Sequence, residues 1–102
     1  MRTDIQHDDW LYQQLQDAVF AAEYLNAASE DDDPKIYLTA LRKVAEARGG
    51  MTYIAQNAGV SRETLDRMLS TRGNPTIKTL SAVLKATGLK MVVSPYSCPG
   101  AQ

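Results

Sequence analysis

One cysteine, one histidine, one tryptophan and one phenylalanine occur in 102 residues, and each scarcity excludes something. Cys98 has no second cysteine to pair with, so no internal disulfide staples the fold, as suits a reducing compartment. His7 is the lone imidazole and lies far from Cys98 in the polar leader, which leaves neither a zinc set nor a Cys/His nucleophile pair. No apolar run approaches the roughly 18 residues of a membrane span. The start, Met1-Arg2-Thr3-Asp4, leads into acidic residues rather than the apolar core of a secretory signal. No glycine-rich loop follows a strand, and no internal repeat or low-complexity segment is present. These absences point to a cytoplasmic chain that is not an enzyme and needs no metal or cofactor. Its length and 44% apolar residues suit one small globular domain with short appendages.

Charge is unevenly placed. Residues 1–33 hold nine acidic residues against Arg2 alone, a net −8; residues 34–102 hold ten Lys and Arg against Glu46, Glu63 and Asp66, a net +7. The overall −1 therefore hides two oppositely charged pieces, and the basic one is suited to phosphate.

Residues 1–9 are polar and expected to be loose. From Trp10 to Ala28, Leu11, Leu15, Ala18, Val19, Ala22 and Leu25 recur at helical spacing, with Phe20 and Tyr24 widening the stripe. This predicts one amphipathic helix, which packs on the domain or offers part of its apolar face to another protein. Glu30-Asp31-Asp32-Asp33 then interrupts the pattern. Asp33 is a good cap and Pro34 a good first residue for a second helix to Arg48, burying Tyr37, Leu41, Val44 and Ala45 before Gly49-Gly50 stops it. The carboxylate run favours the helix dipole and does not read as a metal site.

Met51 to Leu69 reads as two short helices joined by a tight turn. Gly59 can supply the positive φ that ends the first, Ser61 caps the second, and Val60 with Leu65 forms a hydrophobic staple. This is the pattern of a helix-turn-helix. Thr76 caps a last helix with Ile77, Leu80, Val83 and Leu84 as its stripe, closed by Gly88. Leu89-Lys90-Met91-Val92-Val93 is β-prone, and one strand in a helical chain has no internal partner. Pairing with the same strand of a second copy predicts a homodimer, with Leu89, Met91, Val92 and Val93 at the contact. The fold expected is all-α: a five-helix, phage-repressor-like helix-turn-helix domain over 34–95, an acidic N-terminal segment with its helix over 1–33, a short C-terminal strand pairing across the dimer, and a flexible tail over 96–102.

In that register the second helix of the motif faces DNA. Arg62 can offer a bidentate fork to guanine, Glu63 can accept from cytosine, Thr64 can touch a thymine methyl, and Arg67 lies further along. The plainer alternative for these side chains is a solvated helix surface, with Glu63 favouring the helix dipole and Asp66 pairing with Arg62 four residues away; DNA contact is the favoured reading for Arg62 and Arg67. Thr52 and Gln56 on the preceding helix are phosphate candidates, as are Arg72, Asn74, Thr76 and Lys78 around the following loop and helix start. Ser61 is a cap first and a contact second. The partner is double-stranded operator DNA.

Tyr24-Leu25-Asn26-Ala27-Ala28, Asp33-Pro34, Ala40-Leu41, Val44 to Met51, Gly59 to Leu65 and Gly73-Asn74-Pro75-Thr76 together resemble the addiction-module antidote family. Its members are helix-turn-helix antitoxins similar to HigA and related to the phage-repressor (Xre) group, and the resemblance covers about residues 22–95. It implies a dimeric antitoxin that neutralises a small basic RelE/HigB-like ribonuclease toxin and represses its own operon. Family DNA contacts then fall on Arg62, Glu63, Thr64 and Arg67, with Gln56 and Asn74 to Thr76 near phosphate. Asp66 departs from the pattern, since a tyrosine often stands there. The acidic first third becomes the expected toxin-binding region, through Trp10, Leu11, Phe20 and Tyr24. Two other readings stand beside this one: a solitary prophage-type repressor without a toxin, and a protein-interaction module that does not read DNA.

Overall fold

Helix α3 (Pro34–Ala47) is the element on which both halves of the chain pack. The computed structural model describes the backbone of residues 2–70 and 72–93, and side chains from residue 9 onward within those ranges. Asp33 starts α3: its carboxylate accepts from the Lys35 N–H at 3.0 Å, and Pro34 follows where a missing N–H costs nothing. The Asp31 carboxylate in turn accepts from the Asp33 N–H at 2.8 Å, so the acidic run is a turn and a cap. Leu38, Leu41 and Ala45 bury one stripe, and Ala40 and Val44 widen it. Tyr37 is only half-buried and Ile36 is exposed.

The N-terminal third is two helices where one was expected. Helix α1 (Arg2–Leu15) takes in residues read above as a loose leader, and α2 (Ala18–Ser29) follows after two residues. The break comes from Asp17, which takes an extended conformation and caps α2, accepting from the Val19 N–H at 3.2 Å. A change of axis there resets the buried register. Leu11, Leu15, Ala21 and Leu25 enter the core, whereas Ala18 and Val19, counted in a single stripe above, face out, Val19 at 66% exposure. The domain therefore has six helices among the described residues rather than five.

Helices α4 (Met51–Ala58), α5 (Arg62–Met68) and α6 (Ile77–Ala86) form the second group, with α4 packed on both of the others. Their ends follow the residues expected. Gly59 at φ 78° ends α4, and the Val60 N–H reaches back to the Ala55 carbonyl at 3.0 Å. Ser61 accepts from the Thr64 N–H at 3.0 Å, Thr76 accepts from the Thr79 N–H at 3.2 Å, and Gly88 follows α6 at φ 91°. One hydrophobic cluster runs from Leu11 to Leu84, with Leu15, Leu41, Val44, Ile54, Leu65 and Val83 fully buried. Each such side chain contributes about 1.5–3 kcal/mol of burial. Ile77 stands outside it at 72% exposure, although its spacing placed it in the α6 stripe.

Leu89–Val93 is neither helix nor strand, and the described residues contain no strand. A strand at this edge needs a partner that one chain does not supply. Val92 and Val93 stand 72% and 97% exposed. The tail expected from Tyr96 to Gln102, with Cys98, lies outside the described residues.

Candidate nucleic-acid interface

The α4–α5 pair holds its polar side chains outward because its buried positions are few and fixed. Met51, Ile54 and Ala55 of α4 and Leu65 of α5 take the core, and Leu69 follows them inward just past α5. Thr52 and Gln56 on α4 and Arg62, Glu63 and Arg67 on α5 are exposed. Thr64 is half-buried, and its hydroxyl accepts from the Ser61 hydroxyl at 2.9 Å, so Ser61 and Thr64 close the start of α5 together. Neither Arg62 nor Arg67 makes a side-chain hydrogen bond or ion pair among the described residues, so both guanidinium groups keep all their donors.

The connection to α6 folds back onto α5. Gly73 donates its N–H to the Ser70 carbonyl at 2.9 Å, and a Cβ added at Gly73 would lie 1.8 Å from the Met68 carbonyl oxygen. Only a glycine permits that approach. The consequence is positional: Gly73 is held against the last turn of α5, its neighbours Arg72 and Asn74 are exposed, as is Thr76, and Lys78 is exposed in the first turn of α6.

Asp66 is not where its spacing suggested. Its carboxylate pairs with Arg42 of α3, not with Arg62, and its backbone carbonyl accepts from the same guanidinium at 3.4 Å. Arg42 also meets Glu46 at 3.5 Å, and the Glu46 carboxylate accepts from the Tyr12 hydroxyl of α1. A polar chain thus runs Tyr12, Glu46, Arg42, Asp66 across three helices. Sequence reasoning missed it. The i, i+4 spacing of Arg42 and Glu46 was the available signal, but nothing local points from either to Asp66 or Tyr12. The pairs are partly exposed, and such pairs contribute about 0–1 kcal/mol to stability.

On the acidic side, Trp10 stands edge-on to Phe20, ring centroids 6.2 Å apart and planes at 86°, which ties α1 to α2. Trp10 is 51% exposed, Phe20 and Tyr24 are partly buried, and Leu11 is part of the core beneath. Burial pushes the Tyr24 and Tyr37 phenols above their ordinary range, which keeps both neutral. Among the described residues no three His, Cys, Asp or Glu side chains gather as a metal site would need, and no helix is long and apolar enough to cross a membrane.

Comparison with known proteins identifies a family and one relative. Residues 6–95 match the family described as "Probable addiction module antidote protein". An uncharacterized protein of Haemophilus influenzae (strain ATCC 51907 / DSM 11121 / KW20 / Rd) is 44% identical over 70 residues, covering 69% of this chain and 71% of its own length. No solved structure matches the chain significantly. With nine-tenths of its residues inside the match, the chain belongs to the probable addiction module antidote family.

Proposed function

We propose that this protein is the DNA-binding antitoxin of a toxin–antitoxin pair, a homodimer that neutralises a basic RelE/HigB-like ribonuclease in the cytoplasm and represses its own operon at a palindromic operator. The observation that carries this reading is the exposed pair Arg62 and Arg67 on a capped helix, without internal partners, in a fold of the antidote family.

In this reading α4, the Gly59 turn and α5 are the helix-turn-helix, and α5 enters the major groove. Arg62 reads guanine, Glu63 and Thr64 adjoin it, and Arg67 lies further along the same helix. Thr52, Gln56, Arg72, Asn74, Thr76 and Lys78 hold phosphates and set the register. Leu89, Met91, Val92 and Val93 pair with the same segment of a second copy, which covers their exposed apolar surface and satisfies the strand edge. Two recognition helices then meet successive major grooves roughly 34 Å apart. The acidic first third attracts the basic toxin, and the Trp10, Phe20 and Tyr24 rings, seated on Leu11, supply apolar contact.

The test is a gel shift on a duplex carrying the chain's own upstream region. The wild-type protein binds it, and Arg62→Ala costs about 1–3 kcal/mol and relaxes specificity at one base in each half-site. Unchanged affinity rejects this register. A solitary repressor passes the same assay but lacks a neighbouring gene for a basic toxin, and a module that does not read DNA fails it.

A further inference from the structure

Asp66 poses a problem for the DNA reading, since a carboxylate on a helix entering DNA adds repulsion at no evident gain. Its partners give the answer. Arg42 holds Asp66 at two points, the side-chain carboxylate and the backbone carbonyl, and both lie on the α3 side of α5. Helix α5 has seven residues, and Leu65 is the one fully buried within it. A helix this short, packed chiefly on α4, has little to fix its rotation about its own axis. A tie to α3 supplies a second fixed point, and Glu46, itself held by the Tyr12 hydroxyl, sets the Arg42 side chain from behind.

We infer that Asp66 is a positioning residue for DNA recognition: through Arg42 it fixes the roll of α5 and so aims Arg62 and Arg67, without itself touching a base. The inference rests on the DNA-binding reading above. It predicts a sign opposite to simple electrostatics. Neutralising an acid that faces phosphate strengthens binding, whereas freeing the roll of α5 weakens binding to the operator alone. A rotated helix still offers its charge to any duplex, because phosphate attraction does not depend on register.

The experiment measures affinity of the full-length protein for its own upstream duplex and for a random duplex of equal length, with melting temperature recorded for each variant. Asp66→Asn is expected to lose up to about fivefold in operator affinity, the equivalent of about 1 kcal/mol, and to bind random DNA as well as the wild type or better. Arg42→Gln should lose discrimination between operator and random DNA to a similar degree. Asp66→Asn binding the operator as tightly as the wild type, or more tightly, overturns the inference while leaving DNA binding intact. A purely structural role would lower melting temperature and both affinities together, which also overturns it. Failure of the wild type to prefer its own duplex sinks the DNA reading and this inference with it.

Discussion

Arg48, the residue after α3, donates from Nε to the carbonyl of Thr87 at 2.5 Å, thirty-nine residues further along the chain. The same guanidinium donates from Nη1 to the Leu15 and Gln16 carbonyls, at 3.3 and 2.7 Å. One side chain therefore satisfies open carbonyls at the ends of α1 and α6, groups a helix cannot pair internally. It also places a cation at two negative dipole ends.

Arg48→Met keeps most of the aliphatic bulk and removes every donor. The expected cost is about 1.5–3 kcal/mol, seen as a fall in Tm of order 10 °C for a domain of this size. Arg48→Lys should recover only part, because one ammonium cannot reproduce the planar fork that reaches both helix ends. Thermal unfolding by circular dichroism checks both.

Gly73 and Gly59 need glycine for different reasons, and alanine at each separates them. At Gly73 an added methyl meets the Met68 carbonyl oxygen at 1.8 Å, so the loop must move off α5, at about 1–3 kcal/mol or more. At Gly59 no atom lies within 4 Å, and only the left-handed backbone resists. Gly59→Ala should cost about 1–2 kcal/mol and Gly59→Asn less, since asparagine tolerates that conformation. Chemical denaturation of the three variants ranks them.

Lys78 is exposed, and its proposed role is phosphate contact only. Lys78→Ala should weaken operator and random DNA alike and lower the slope of log affinity against log salt by about 1. A titration across salt concentrations reads this directly, and a change of sequence preference contradicts the assignment.

Trp10 is the natural probe of the acidic half. Removing residues 1–28 is not a clean probe, because it takes Leu11, Leu15, Ala21 and Leu25 out of the core. Trp10→Ala removes a half-exposed ring instead. It should weaken capture of the proposed basic toxin by about 2 kcal/mol or more, with operator binding unchanged. Isothermal titration with that protein, and rescue of growth on co-expression, measure the loss.

Much of this molecule was legible in sequence because its signals are local. A cap needs only a hydroxyl or carboxylate two or three residues before a free N–H, so Asp33, Ser61 and Thr76 announced the starts of α3, α5 and α6. A left-handed turn needs a glycine, so Gly59 and Gly88 announced two ends. The outward placement of Arg62, Glu63 and Arg67 followed from the inward placement of Leu65. Asp17 was legible in principle, as the same kind of cap, but it lay inside an apolar stripe that stayed in phase across it. Periodicity cannot register a change of axis, and Val19 was counted as buried for that reason.

Local sequence signals specify four of the six helices among the described residues, the caps of three of them and the division of charge, because those depend on neighbours a few residues apart. Tertiary structure alone decided which helices are tied together. Arg42 reaches Asp66 across 24 positions and Arg48 reaches Thr87 across 39, and Gly73 is required by a carbonyl it meets only after the loop folds back. Contacts of that separation leave no spacing to read. They exist only once burial of Leu41, Ile54 and Val83 has brought the helices into one core.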